Sequence, residues 1–493
     1  MRIGGVLNLL GKLTIILSLM LLTPIPFSLY YNDGMVNTFL ISSLLGLSIG
    51  SVFIAVFLPE KDLGYKDGFA IVALSWIGLA LLGALPYVLN GNIPSFVDAL
   101  FESMSGFTTT GSTILSDIEV LPKSLLFWRS MTHWLGGMGI ILLTLAILPL
   151  LGIGGMQLFQ AEVPGPTKDK LAPRIHDTAR ILWSVYLLMT VVETVLLMAG
   201  GVDFFNALTH SFSTLATGGF SNFNDSLGHY NSSYIQYVVI IFMFLAGVNF
   251  SLHFMALRGK LNAYWKSEEF VFYLIIILFA TLSIFAVRAV NDTSLNMAMN
   301  FRDVLFQVVS IITTTGFGTA DFNLWPPFCQ TLLVTLMFVG GCAGSTGGGI
   351  KVVRLLLFFK YARLQLHKLI HPRQIETIKL GKVKVPQEVM IAILGFFAIY
   401  LVVFVVASLL ITMLGVDIVT GLTSVIATLN NIGPGLNLVG PTQNFGHLPA
   451  PAKLILIFCM LAGRLELYTI AILFSPSYWR MTRKPILRWK ANN

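Results

Sequence analysis

Four short segments of this chain share one pattern, a glycine in a Thr/Gly- or Asn/Gly-rich stretch at a constant distance from a short polar side chain. They are Phe107-Thr-Thr-Thr-Gly-Ser-Thr113, Ala216-Thr-Gly-Gly-Phe-Ser221, Thr313-Thr-Thr-Gly-Phe-Gly-Thr319 and Asn430-Asn-Ile-Gly-Pro-Gly-Leu436. Thirteen residues before Gly111, Gly219, Gly316 and Gly433 stand Asp98, Asn206, Asp303 and Thr420. Each of these can take a free N–H of a first helical turn, so the spacing predicts four N-caps. Each unit then reads as a capped helix of about three turns ending at a glycine loop. The glycines are 108, 97 and 117 residues apart, which leaves room for two membrane spans around each unit. Four such units imply one pore built from four quarters.

The surroundings of these units are apolar. Hydrophobic residues make up 55% of the chain and charged residues 11%, and mean hydropathy is +0.80. A soluble domain carries about 25% charged residues, so the chain reads as a polytopic membrane protein. Apolar runs of roughly 20 residues, enough to span a bilayer, fall near 13–31, 36–58, 69–90, 123–150, 180–200, 234–257, 269–290, 328–360, 388–414 and 452–478. The expected fold is all-α with ten transmembrane helices. No stretch is left over for a soluble domain of about 100 residues, which excludes a cytosolic catalytic module.

The net charge of +8 is distributed by side rather than by domain. Of 31 Lys and Arg, 25 fall at the N-terminus and in 59–68, 151–180, 256–268, 351–388 and 478–493. With ten spans all six places lie on one side, so both termini are expected in the cytoplasm and the glycine loops open from the opposite face. That placement speaks for a membrane rather than nucleic acid. The first apolar run lacks a small-residue cleavage site and reads as an uncleaved helix. Cys329, Cys342 and Cys459 lack metal-ligand spacing and read as small apolar residues.

The expected organisation is an N-terminal helix pair, 1–60, and four parallel repeats at 61–165, 166–265, 266–385 and 386–493. Each repeat runs span, short helix, loop, span, giving pseudo-fourfold symmetry about a pore along the membrane normal. Inverted repeats would instead point to a rocking transporter.

A half-span helix followed by a loop leaves backbone at membrane depth without helical hydrogen bonds, tolerated only where it is buried in protein or lines water. Carbonyl oxygens aimed at an axis can replace the hydration shell of a monovalent cation. Glycine permits the positive φ of a carbonyl-inward loop. The ion-binding positions expected on this reasoning are Thr109, Thr110 and Gly111; Thr217, Gly218 and Gly219; Thr314, Thr315 and Gly316; and Asn431, Ile432 and Gly433. In the second loop the count of thirteen and the following Phe220 favour Gly219 over Gly218 as the filter glycine.

These loops, together with Gly340-Gly-Cys-Ala-Gly-Ser-Thr-Gly-Gly-Gly-Ile-Lys351, resemble the Trk/Ktr/HKT superfamily of potassium transporters over essentially the whole chain. The additional N-terminal pair resembles the TrkH branch. The resemblance implies potassium uptake across a bacterial cytoplasmic membrane, with potassium as substrate and no organic cofactor on this chain. It also implies a homodimer and a cytoplasmic nucleotide-binding ring of the TrkA type. Gly111 stands where some plant relatives that favour sodium carry serine, which again points to potassium.

Six glycines in the ten residues 340–349 cost a helix about 1 kcal/mol each relative to alanine, so mid-span the chain is expected to leave the helix. The expected gating residues are Gly344, Ser345, Thr346, Gly347, Gly348, Gly349, Lys351 and Arg464. The glycine run also suits a close helix crossing. Two roles are open to Arg464, whose charge lies at membrane depth: facing the pore beneath the filter, where it could hold the glycine loop, or pairing with a carboxylate such as Glu466. Lys351 can contact the gate or snorkel to the interface. Arg129, Arg288 and Arg302 read as anchors of span ends, and Asp98, Glu102, Asp303 and Asp417 as negative charge at the outer mouth.

No nucleotide-binding loop occurs, and Gly347-Gly-Gly349 lies within a membrane segment. His133, His210 and His253 are scattered and read as hydrogen-bonded within the bundle, so no catalytic set is expected. The basic segment 360–384 suits docking of a regulator or ordinary positive-inside charge. The alternative function is a sodium- or proton-coupled cation symporter, for which Glu193 is the nearest relay candidate.

Overall fold

A computed structural model describes residues 2–60, 63–147, 175–292, 294, 296–372, 377–381 and 383–479. The first repeat boundary near 165, most of the basic stretch 151–180 and the tail from 480 lie outside the described residues. In lipid an apolar run has to satisfy its backbone internally, and it does so here by forming helices. In chain order they are α1 (Ile3–Met20), α2 (Ile25–Tyr31), α3 (Val36–Val56), α4 (Tyr65–Leu89), α5 (Phe96–Phe107), α6 (Lys123–Ile147), α7 (Ile175–Ala199), α8 (Phe204–Leu215), α9 (Ser233–Ala246) and α10 (Phe250–Leu257). They continue as α11 (Asn262–Lys266), α12 (Glu268–Asn291), α13 (Met297–Ile312), α14 (Pro327–Met337), α15 (Val352–Ile370), α16 (Gln387–Met413), α17 (Ile418–Leu429), α18 (Ala450–Arg464) and α19 (Leu467–Ala471). The described strands are one short hairpin, Lys379–Leu380 with Val383–Lys384.

Among the described residues six helices are long and apolar enough to cross a membrane, or up to eight if two bent pairs each count as one span. The bends are 105° between α9 and α10 and 117° between α18 and the Leu467–Phe474 segment. The run expected at 328–360 is broken, because α14 stops at Met337 and α15 begins at Val352.

In the N-terminal pair, α1 meets α3 where Gly11 and Gly50 face each other. A Cβ on either would stand within 2.8 Å of the other's carbonyl oxygen, the small-residue contact that lets membrane helices approach closely. Asp33 joins this pair to α6 by accepting from Ser28 Oγ at 2.5 Å and from the Ser124 N–H at 2.9 Å. The buried apolar side chains form two main clusters. One draws mainly on residues 179–352, the other on 17–131 and 396–470. The end of α17 lies where the two meet, with Leu429 in one and Ile432 in the other.

The expected helix caps need correction. The side chains that cap α5, α8 and α17 are Ser95, Asp203 and Asp417, which accept from the N–H groups of Asp98, Asn206 and Thr420. Asn296 caps α13 in the same way, about two turns before Asp303. The interval of thirteen is real in three units, but it marks the third helical residue, whose N–H is the group being capped. Asp98 instead pairs with Lys453 at 2.6 Å, and Asp303 lies 3.4 Å from Arg302.

Candidate functional site

The four short helices α5, α8, α13 and α17 end alike. Thr109, Thr217, Thr314 and Asn431 have φ between 53° and 59°, and the glycine two residues later is also positive, from 79° at Gly219 to 107° at Gly433. The left-handed residue donates to the carbonyl three back, at Gly106, Thr214, Ile311 and Thr428. The next residue donates to the carbonyl five back, at Ser105, Ser213, Ser310 and Ala427, with distances of 2.8–2.9 Å. This paired arrangement closes a helix C-terminus, a place usually given to glycine. Using threonine there costs of order 1–2 kcal/mol, and left-handed non-glycine residues concentrate at functional sites. The negative ends of the four helix dipoles are thereby brought to the loops.

The four glycines then form a closed cycle. A Cβ on Gly111 would collide with the carbonyl oxygen of Gly218, one on Gly219 with that of Thr315, and one on Gly316 with that of Ile432. On Gly433 it would stand 2.9 Å from the oxygen of Thr110. Each unit therefore touches the next through the carbonyl that precedes the neighbouring glycine, and the fourth returns to the first. Thr109, Thr110, Thr217, Thr314, Thr315 and Asn431 are fully buried. Side-chain bonds differ around the ring. Thr108 pairs with Thr110 at 2.8 Å and Thr313 with Thr315 at 2.7 Å, whereas Asn431 donates to Thr110 Oγ1 at 2.9 Å. On one side of the ring lies a cavity of about 120 Å³ lined by Gly111, Gly219, Gly316 and Gly433 and by polar groups of all four loops.

The segment 340–350 lies outside helix and is closed at its neck, where Gly340 N–H donates to Ile350 O and Val352 N–H to Gly341 O. It reaches three of the loop-bearing units directly. Gly348 N–H donates to Thr314 Oγ1 at 2.6 Å, Thr346 Oγ1 donates to Leu215 O at 2.9 Å, and a Cβ on Gly348 would collide with Asn430 O. The break between α9 and α10 serves as its berth. Cys342 N–H donates to Gly247 O at 2.8 Å, and Phe250 N–H to Gly344 O at 3.0 Å. Glu269 at the start of α12 accepts from the Ala343 and Val353 N–H groups.

Arg464 holds this segment. Its guanidinium donates to Thr346 O at 2.8 Å and to Gly136 O and Gly137 O of α6 at 2.6 and 3.1 Å. Glu466 pairs with Arg354 instead, which removes it as the partner of Arg464. Lys351 is buried and its Nζ donates to Gly347 O, so it belongs to the loop rather than to the interface.

Two expectations about charge change. Glu102 and Arg129 are an ion pair at 2.6 Å, with side chains 0% and 2% exposed, not mouth charge and span anchor. An arginine in an apolar run needs a partner; only the fold says which one. The histidines are hydrogen-bonded in the bundle as expected. His210 bonds Asn206 O and Ser221 Oγ, His253 bonds Tyr264 and Leu245 O, and His133 lies 3.4 Å from Ser213 Oγ. Glu193 is buried on α7. Arg288 sits over the Trp325 ring at 4.3 Å, and Arg302 donates to Ser233 Oγ at 2.8 Å.

The chain is similar to proteins named for potassium uptake. It is 43% identical over 484 residues to the Trk system potassium uptake protein TrkH of Escherichia coli K12, covering 97% of this chain and all of that one. It is 42% identical to the protein of the same name from Halomonas elongata, with the same coverage. The crystal structure of the potassium transporter TrkH from Vibrio parahaemolyticus superposes with a TM-score of 0.87 at 39% identity, over 97% of this chain and all of that one. The family described as TrkH, cation transport protein, matches residues 37–481. Since that match takes in all four glycine loops and the segment 340–350, the chain belongs to the TrkH family.

Proposed function

We propose that this chain takes up potassium across the cytoplasmic membrane of a bacterium through a selectivity filter made by its four glycine loops. The observation that carries this reading is the closed cycle of Gly111, Gly219, Gly316 and Gly433, each against a carbonyl of the next loop. Oxygens converging in that way replace the water of a dehydrated monovalent cation. The potassium uptake named for the relatives supplies the ion. Four parallel repeats and ten spans, with the loops opening outward and both termini inside, are the arrangement that fits the cycle and the one-sided distribution of Lys and Arg.

Gating falls to residues 340–350. Held by Arg464 and Lys351 against Thr314 and Leu215, the segment obstructs the path beneath the filter and opens when those bonds are exchanged. A homodimer and a cytoplasmic nucleotide-binding ring of the TrkA type complete the proposal; the relatives' designation as a Trk system supports further subunits.

Rubidium uptake into proteoliposomes, competed by potassium or sodium, tests the filter. Potassium is expected to compete far better than sodium, and Gly316→Ser to weaken that preference. Robust uptake indifferent to Gly316→Ser would place the ion path elsewhere.

A further inference from the structure

Nine residues before the filter glycines stand Glu102, His210, Gln307 and Ser424, all buried. In the first three units this side chain reaches the segment leaving the glycine loop. Glu102 accepts from Thr113 Oγ1 and the Ile114 N–H, each at 3.0 Å. His210 Nε2 is 3.0 Å from Ser221 Oγ, and the Gln307 amide bonds the Thr319–Ala320 backbone. In the fourth unit Ser424 turns back to Gly421 O, and Thr423 takes over by accepting from the Leu436 N–H at 3.0 Å. One device recurs with four chemistries, a strut from the short helix to the outgoing segment of the loop.

The first strut extends into a second loop. Glu102 also accepts from Arg129 Nε at 2.6 Å, and Arg129 Nη1 donates to Ser221 O at 2.8 Å, two residues past Gly219. The guanidinium carbon lies 3.5 Å from the centre of the Phe220 ring, a cation–π contact that adds to its two hydrogen bonds. A continuous chain of bonds thus runs from Thr113 and Ile114 through Glu102 and Arg129 to Ser221, joining the exits of the first and second loops. Arg129 also lines the cavity next to the four glycines. A cation there would repel passing cations unless neutralised, and Glu102 neutralises it.

We propose that Glu102 and Arg129 are a positioning pair that fixes the spacing of the first and second filter loops and thereby contributes to ion specificity. This rests on the reading of the loops as a filter. Whether selection works through ring size or through the field of the carbonyls, a fixed distance between two of the four loops enters it. The pair also predicts an order among variants. Removing the carboxylate alone leaves a buried charge uncompensated, whereas removing both partners does not.

The test is rubidium uptake by the full-length protein in proteoliposomes, competed by potassium and sodium, with the melting temperature of each variant measured in detergent. Arg129→Lys keeps a charge for Glu102 but cannot form the same fork to Ser221. It is expected to lower the potassium-over-sodium preference by roughly tenfold, the size expected for one lost charge-assisted hydrogen bond, with a smaller change in maximal rate. Glu102→Gln should depress uptake more than the double variant Glu102→Gln/Arg129→Gln does, a coupling that independent sites would not show. An unchanged preference in Arg129→Lys, or a preference that merely follows melting temperature across the series, would overturn the proposal. Gly316→Ser separates the two levels. If it shifts the preference and Arg129→Lys does not, only the positioning pair fails; if neither does, the filter reading fails with it. Should Glu102→Gln not accumulate, Arg129→Lys alone decides.

Discussion

At the scale of single residues, the four loop glycines differ in how much room they have. Positive φ is common to all four, from 79° at Gly219 to 107° at Gly433, so alanine is strained at each. The neighbours separate them. A methyl group would stand 2.0, 2.1 and 1.8 Å from a backbone oxygen of the next loop at Gly111, Gly219 and Gly316, and 2.9 Å from the oxygen of Thr110 at Gly433, a milder clash. A backbone oxygen inside a closed cycle cannot yield without moving the cycle. Gly316→Ala is therefore expected to cut rubidium uptake at least about tenfold, and Gly433→Ala to cut it less. Initial rates normalised to folded protein measure the difference, and equal losses would show that collision is not the deciding term. The glycines and threonines of the loops were legible in the sequence because their conformational demands are local. The pairing of Glu102 with Arg129 was not, since 27 residues separate them and only packing brings them together.

Among the elements, the short helices show how a correct interval can be read one turn out. The repeat of thirteen residues is present, yet the capping oxygens belong to Ser95, Asp203 and Asp417, three residues earlier. Both choices are good cap types, so composition does not separate them; the first residue that leaves helical φ and ψ does. At Asp417 this has a pH consequence. Hydrogen bonds from the Thr420 side chain and N–H hold its carboxyl below the ordinary 3.8. A lowered carboxyl contributes stability above its unfolded value and loses it as pH falls through the folded one. Asp417→Ala is expected to cost about 1 kcal/mol at neutral pH and Thr420→Ala less. The Asp417→Ala deficit should shrink as the medium is acidified below about pH 3.8. Thermal melting of the three proteins against pH checks this, and a deficit constant down to the acid limit would contradict it.

Across the whole molecule, the glycine segment is where three of the loop-bearing units are brought together, through Leu215, Thr314 and Asn430. Arg464 joins Thr346 of that segment to Gly136 and Gly137 of α6, and each charge-assisted bond of this kind contributes roughly 1.5–3 kcal/mol. If the proposed gating role holds, Arg464→Ala raises rubidium leak in the absence of any partner subunit by at least about tenfold. Unchanged leak in a folded variant would remove Arg464 from the gate. The sequence by itself determined the membrane class, the helical content, the four loops and the non-helical segment at 340–349. Those follow from hydropathy, from the φ that glycine allows and from backbone groups that must be satisfied in lipid, all of which act over a few residues. Tertiary structure alone decided that the loops close into one cycle, that Arg464 grips Thr346 rather than Glu466, and that Glu102 finds Arg129. The physical reason is that hydrogen bonds and ion pairs act over about 3 Å, so a charge in an apolar run announces that it needs a partner but not which one.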